Sequence, residues 1–172
     1  MFDAAALALI NAGELDERWL SYQARKCRIE PDPPPTKLEI AELRRIRALL
    51  QRLTATVGDG QPLSSRDLAQ INAILTSTPV TAKLHRFPDS GYYVEMTPRA
   101  DRWIDALVRE VVGSWVALLR LDDPPRLRLC ANAACRRAFY DETRNRSRRW
   151  CNSRICGNRI RVKRHRDARR AT

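Results

Sequence analysis

A chain of 172 residues with 44% hydrophobic and 30% charged residues has a globular composition and suits one large or two small domains. It holds no apolar run near the roughly eighteen residues needed to cross a bilayer, and no basic segment precedes the apolar stretch from Phe2 to Ala12, where Asp3 stands instead, so a signal peptide is not expected. The net charge of +12 is unevenly spread: residues 126–172 carry sixteen Arg/Lys against three Asp/Glu, a net +13, while residues 1–125 carry sixteen against seventeen, a net −1. A neutral body joined to a strongly basic segment is the electrostatic footprint of a polyanion partner. The basic segment lacks the Trp/Phe/Leu face that interfacial binding needs, which sets a membrane surface below nucleic acid.

The N-terminal residues 3–11 and 14–27 read as two short helices broken at Gly13, the second with Leu15, Trp19, Tyr22 and Lys26 near helical spacing. Cys27 stands alone, with no base near it in sequence, and reads as a packed or half-exposed thiol. Proline denies the backbone its donors, so Glu30-Pro-Asp-Pro-Pro-Pro35 is a loop. Thr36-Lys-Leu-Glu39 is a capping-box pattern and starts a helix with Leu38, Leu43, Ile46, Leu49, Leu50 and Leu53 as its apolar face. Arg44, Arg45, Arg47 and Arg52 on that helix read as a solvated face. Gly58-Asp-Gly60 ends it. Ser64 opens another helix with Leu68, Ile71, Ile74 and Leu75 inward and Pro79 as its stop. The connection from about Thr56 to Leu63 is too long for a helix-turn-helix.

From Val80 to Met96 the period changes, and Pro88-Asp-Ser-Gly91 between two alternating runs predicts a β-hairpin with His85 structural or exposed. Pro98 is expected to start a helix to about Arg120, with the widest apolar stripe of the chain from Trp103 to Leu119. Trp103 and Trp115 suit a core, with a small-molecule effector pocket beside them as a further expectation. Asp122-Asp-Pro-Pro125 marks the boundary between 1–125, a regulatory or dimerisation domain expected to fold alone, and 126–172.

The C-terminal segment carries two Cys pairs of one spacing, Cys130-Ala-Asn-Ala-Ala-Cys135 and Cys151-Asn-Ser-Arg-Ile-Cys156. Two such pairs complete a tetrahedral four-thiolate site, closed and therefore structural, with one Zn²⁺ as the default metal. Two disulfides are the competing reading, and they are disfavoured where thiols stay reduced, as in the expected cytoplasmic setting. Arg126–Leu129 and Ala138–Tyr140 predict a small hairpin around the first pair. The second pair sits where a basic helix, about Asn152 to Arg170, begins; Ile155, Ile160 and Val162 are its packing residues. Knuckle, hairpin and helix together are a treble-clef-like arrangement, so the fold class is α+β.

The run from Asp141 to Cys151, ending in Cys156-Gly157-Asn158-Arg159, resembles the CGNR zinc-finger family. The resemblance covers about residues 126–170 and implies a bacterial transcription regulator with a helical, stress-response N-terminal domain. That family usually opens with Asp-Phe-Val-Asn-Thr, of which Ala8-Leu-Ile-Asn-Ala12 keeps a trace.

Four thiolates on one Zn²⁺ leave a formal charge of −2, which Arg148, Arg149 and Arg154 are placed to offset. The residues expected to meet DNA are Arg144, Arg146, Arg148, Arg149, Asn158, Arg159, Arg161, Lys163, Arg164 and Arg166. Asn158 has a second reading as a tie for a knuckle, and Arg159 as a partner of Asp141. Arg forks onto guanine as well as phosphate, so duplex DNA leads, with a homodimer supplying two fingers and a nucleoid-associated location. An RNA-binding zinc protein is the alternative, although only Trp150 and Tyr140 offer aromatic stacking in the finger. An enzyme is not expected, because the metal site is closed and His85 and His165 lie in different segments.

Overall fold

The computed structural model describes residues 4–86, 91–120 and 126–170. Six helices and two hairpins follow in order: α1 (Ala5–Ile10), α2 (Glu17–Lys26), α3 (Lys37–Gly58), α4 (Ser65–Ser77), β1 (Val80–Arg86), β2 (Tyr92–Pro98), α5 (Trp103–Arg120), β3 (Leu127–Leu129), β4 (Ala138–Tyr140) and, after a π-helical turn (Ser153–Gly157), α6 (Asn158–Arg170). The class is α+β, as expected. The proposed boundary at Asp122–Pro125 and most of the predicted turn at 88–91 lie outside the described residues.

Local chemistry accounts for the helix starts. Thr36 and Ser64 each close a capping box, with Glu39 and Asp67 returning to the cap backbone. Asp16 caps α2 by accepting from Trp19 N–H. The start of α1 has no side-chain cap of its own; Ser114 Oγ on α5 accepts Ala6 N–H at 2.9 Å instead.

α5 is the centre of the core. Ile104, Leu107, Val112, Trp115 and Leu118 are at most 2% exposed, and the helix packs against α1, α2, α3 and α4. Burial of each such side chain contributes about 1.5–3 kcal/mol, so α5 is the largest single apolar contribution to the body. Trp115 Nε1–H donates to Thr54 Oγ1 at 3.0 Å, and Trp103 Nε1–H to the Pro33 carbonyl at 2.7 Å. Both indoles are buried with their N–H groups satisfied, as suits a core.

Several side chains leave the predicted faces. α2 buries Leu20 and Ala24, so Tyr22 lies on the opposite side, 58% exposed, under Lys26. Leu38, in the first turn of α3, is 82% exposed. Leu68 is 49% exposed because Arg52 pairs with Asp67 at 2.7 Å and turns the Asp67–Ile71 side of α4 inward. Pro98 ends β2 opposite Val80 rather than starting α5; the helix begins at Trp103, after Arg102 folds back onto Asp105. Arg44, Arg45 and Arg52 of α3 are exposed, as expected of a solvated face, and three of the helix's arginines also act as tethers. Arg44 donates to Leu15 O, Arg47 to Ala12 O and Gly13 O, and Arg52 to Asp67 and Gln70.

The β1–β2 ribbon pairs in register from Val80↔Pro98 to Arg86↔Tyr92 and presents Leu84, Tyr92, Val94 and Met96 to solvent on one face. The β3–β4 hairpin joins the helical core. Leu127, Ala138 and Tyr140 belong to the same buried cluster as Leu9, Leu43 and Trp115, and the end of α3 at Gly58 backs onto Leu127 and Arg128. On the outer edge of β4, Asn11 holds Ala138 from both sides. Its Oδ1 accepts Ala138 N–H, and its Nδ2 donates to Ala138 O, each at 2.8 Å. A side-chain amide here does the work of a third strand.

Candidate metal centre

β3 and β4 pair as Leu127↔Tyr140, Arg128↔Phe139 and Leu129↔Ala138, and bring Cys130 and Cys135 to the tip of the hairpin. Cys130 N–H bonds Arg137 O, closing the loop. Inside it, buried Asn132 organises the first knuckle: its carbonyl accepts Cys135 and Arg136 N–H, and its Oδ1 accepts Ala134 N–H. Asn152 does the same in the second knuckle. Its Oδ1 accepts Ile155 N–H at 3.0 Å, and its carbonyl accepts Cys156 N–H at 2.9 Å. The expected single helix from Asn152 opens instead as the π-helical turn Ser153–Gly157 before α6; such turns recur at functional sites. It delivers Cys156 back toward Cys151.

The four Sγ atoms lie within 4.8 Å of one another, with Cys135–Cys151 at 3.6 Å and Cys151–Cys156 at 3.8 Å. Thiolates about 2.3 Å from one ion stand about 3.8 Å apart, whereas a disulfide needs about 2.05 Å. None of the described cysteines forms a disulfide, and Cys27 is half-buried against the core. Burial first, then the surrounding thiols, pushes Cys151 up to about 12, and burial likewise raises Cys156. At Cys135 burial also raises, but the Arg137 backbone and the neighbouring thiols outweigh it and lower the thiol. A bound divalent cation favours the thiolate form of its cysteine ligands. Four sulfur donors, closed and tetrahedral in spacing, fit one structural zinc ion held by Cys130, Cys135, Cys151 and Cys156.

A buried carboxylate braces the segment between the pairs. Asp141 is fully buried; Thr143 Oγ1 and N–H donate to it at 2.5 and 3.0 Å, Arg148 N–H at 2.9 Å, and Arg128 Nε stands at 3.9 Å. Burial opposes its charge, yet these donors outweigh burial and hold it below the usual carboxylate range. Arg159 is therefore not needed as its partner, and lies exposed. Arg148 donates Nε–H to Trp150 O and a terminal N–H to Cys151 O, and stacks on the buried Phe139 ring at 4.9 Å. Its guanidinium is held inside the finger.

Gly157 meets the Trp150 indole, to which an added Cβ would come within 3.3 Å. The close approach that demands glycine is thus to this ring, not to the metal cluster. Arg149 lies over the same ring at 5.7 Å. Of the residues expected to face DNA, Arg144, Arg149, Asn158, Arg159, Arg161, Lys163, Arg164 and Arg166 are exposed, and Arg146 and Arg148 are half-buried. Arg161 to Arg169 is exposed throughout; Val162 and Ile155, expected to pack, are 41% and 52% exposed, and Ile160 is half-buried. The sequence reading missed Asn11, Asn132 and Asn152. An Asn inside each Cys-x4-Cys loop was the available signal for two of them. Among the described residues no helix is long and apolar enough to cross a membrane.

This is a closed zinc finger carried on a helical body, the architecture of a zinc-binding regulator. Residues 126–170 match the family profile of the CGNR zinc finger, and residues 3–122 match that described as "Putative stress-induced transcription regulator". The chain belongs to that regulator family. A search of curated proteins gives no match.

Proposed function

We propose that the protein is a DNA-binding transcription regulator without enzymatic activity, in which α6 and the loop between the Cys pairs contact duplex DNA and residues 1–125 regulate or dimerise. The observation that carries this is α6: about 20 Å of helix whose residues Arg161–Arg169 are all exposed, five of them Arg or Lys and one Asp, starting at the closed metal site. A helix with so little burial gains its stability from the finger at its base and offers its surface to a partner. One finger has room for few base contacts, so a dimer placing two on repeated half-sites belongs to the same reading, as does a nucleoid-associated location. The groove of about 900 Å³ between Leu7 and Trp19 on the body and Phe139 and Ile155 on the finger is the place this reading gives to a small-molecule effector. Against RNA, Tyr140 is buried and Trp150 is half-buried between Gly157 and Arg149, so neither is open for base stacking.

The test is selection of binding sequences from random duplexes with the zinc-loaded full chain, then titration against scrambled DNA at several salt concentrations. A motif with two half-sites is expected, its binding lost in Arg161→Ala/Arg164→Ala while zinc stays bound. Equal affinity for every duplex would reduce the protein to a polyanion binder, and preference for structured RNA would transfer the case to the RNA reading.

A further inference from the structure

A second basic feature lies away from α6, where the end of α3 meets the first knuckle. A recess of about 280 Å³ is lined by Arg128, Arg136, Arg146, Arg148 and Arg149, with Asp59 as the one carboxylate in its wall. Arginine keeps its proton in a protein, so five arginines around one recess make it attractive to an anion. Arg149 lies over the Trp150 ring. Arg148 is held by the carbonyls of Trp150 and Cys151, and Arg128 reaches buried Asp141 only at 3.9 Å, with its Nε buried and lacking a hydrogen bond.

The backbone adds an independent observation. Among the described residues three non-glycine residues have positive φ, Arg28, Arg136 and Arg146, and two of the three line this recess, at 50° and 49°. Glycine takes that conformation without steric cost, and arginine is not a residue that favours it. Arginine held at both places puts two positively charged residues in the wall of one small volume. A recess of this size is below that of a drug-sized pocket and suits a single compact anionic group.

We propose that this recess is a phosphate-binding site, with Arg128, Arg136, Arg146 and Arg149 as its donors. Guanidinium forks match phosphate oxygens. The phosphate belongs either to the backbone of bound duplex, which rests on the proposed function, or to a free phosphorylated small molecule, which does not.

The experiment compares the zinc-loaded full chain with Arg136→Gly/Arg146→Gly. Glycine suits both backbone positions, so the thermal midpoint is expected to hold or rise; Arg136→Asn/Arg146→Asn, also tolerant of this conformation, is the second variant. Two ligands are titrated: duplex DNA across a salt series, and inorganic pyrophosphate by calorimetry, with Arg161→Ala/Arg164→Ala as the control for α6. Loss of a backbone contact lowers the log–log salt slope by about 0.9 per phosphate and identifies DNA as the source. Pyrophosphate binding that is present in the wild type and the α6 control, absent in both recess variants, and accompanied by an unchanged DNA slope identifies a small phosphorylated ligand, even if no DNA is bound at all. If the recess variants alter neither titration, the proposal is overturned, and a loss confined to the α6 control leaves the DNA reading standing without it.

Discussion

At the scale of single residues, Asp141 and Asn132 show how a finger with few apolar side chains is held in shape. Asp141 accepts hydrogen bonds from Thr143 and Arg148 and has the charge of Arg128 at 3.9 Å, none of which the sequence marks as its partner. Hydrogen bonds to a buried charge contribute about 1.5–3 kcal/mol each, and loss of the charge leaves donors unsatisfied. Asp141→Asn is expected to cost on the order of 2–3 kcal/mol in chemical denaturation at neutral pH. The pH dependence has a definite sign. The folded carboxyl titrates below its unfolded value of about 3.9, so its stabilisation is complete above that pH and is lost as pH falls through the folded value. The gap in stability between wild type and Asp141→Asn should stay flat down to about pH 4 and close below it. Taking the difference cancels the acid release of zinc that both proteins share. A gap that persists unchanged to pH 2 would show that Asp141 contributes packing rather than charge.

At the scale of elements, the second Cys pair depends on one close packing. A Cβ at Gly157 would come within 3.3 Å of the Trp150 ring, tighter than ordinary packing, so a branched side chain would press on that ring and on the π-helical turn that carries Cys156. Gly157→Val should lower zinc affinity and fray α6, read as faster metal loss to a chelator and lower helicity by circular dichroism; metal retention equal to wild type would contradict the packing role. The cysteine spacing, both hairpins, the Thr36 capping box, the helix opening at Ser64 and the apolar stripe of α5 were legible in the sequence because each is a local pattern of ligands, caps or periodicity. Faces were less legible. Tyr22 on α2 and Leu68 on α4 lie off the faces those helices bury, and Leu38 lies in the exposed first turn of α3; a stripe on a short helix does not encode its neighbour. The arginines of α3 are the same case: Arg47 finds Ala12 and Gly13 only once α1 is in place.

At the scale of the whole molecule, the finger's hairpin completes the helical core, through Leu127, Ala138 and Tyr140 and through the amide of Asn11. No pattern in the sequence conveyed this, because the contact spans 127 positions and rests on one small side chain. Zinc removal should therefore reach beyond the finger. With a chelator at neutral pH the body's thermal midpoint is expected to fall by roughly 4–8 °C, as a loss of about 2 kcal/mol would produce. Asn11→Ala should shrink that fall, since it cuts the tie before the metal does. A body transition indifferent to zinc in both proteins would separate the two halves. The tie to Ala138 also has a consequence in time. A ribosome releases α1 long before β4 exists, so the first helix emerges with its last partner still unmade. The body then gains its final fastening only when the finger has been synthesised and metallated, which makes zinc supply a late checkpoint on the maturation of the entire regulator.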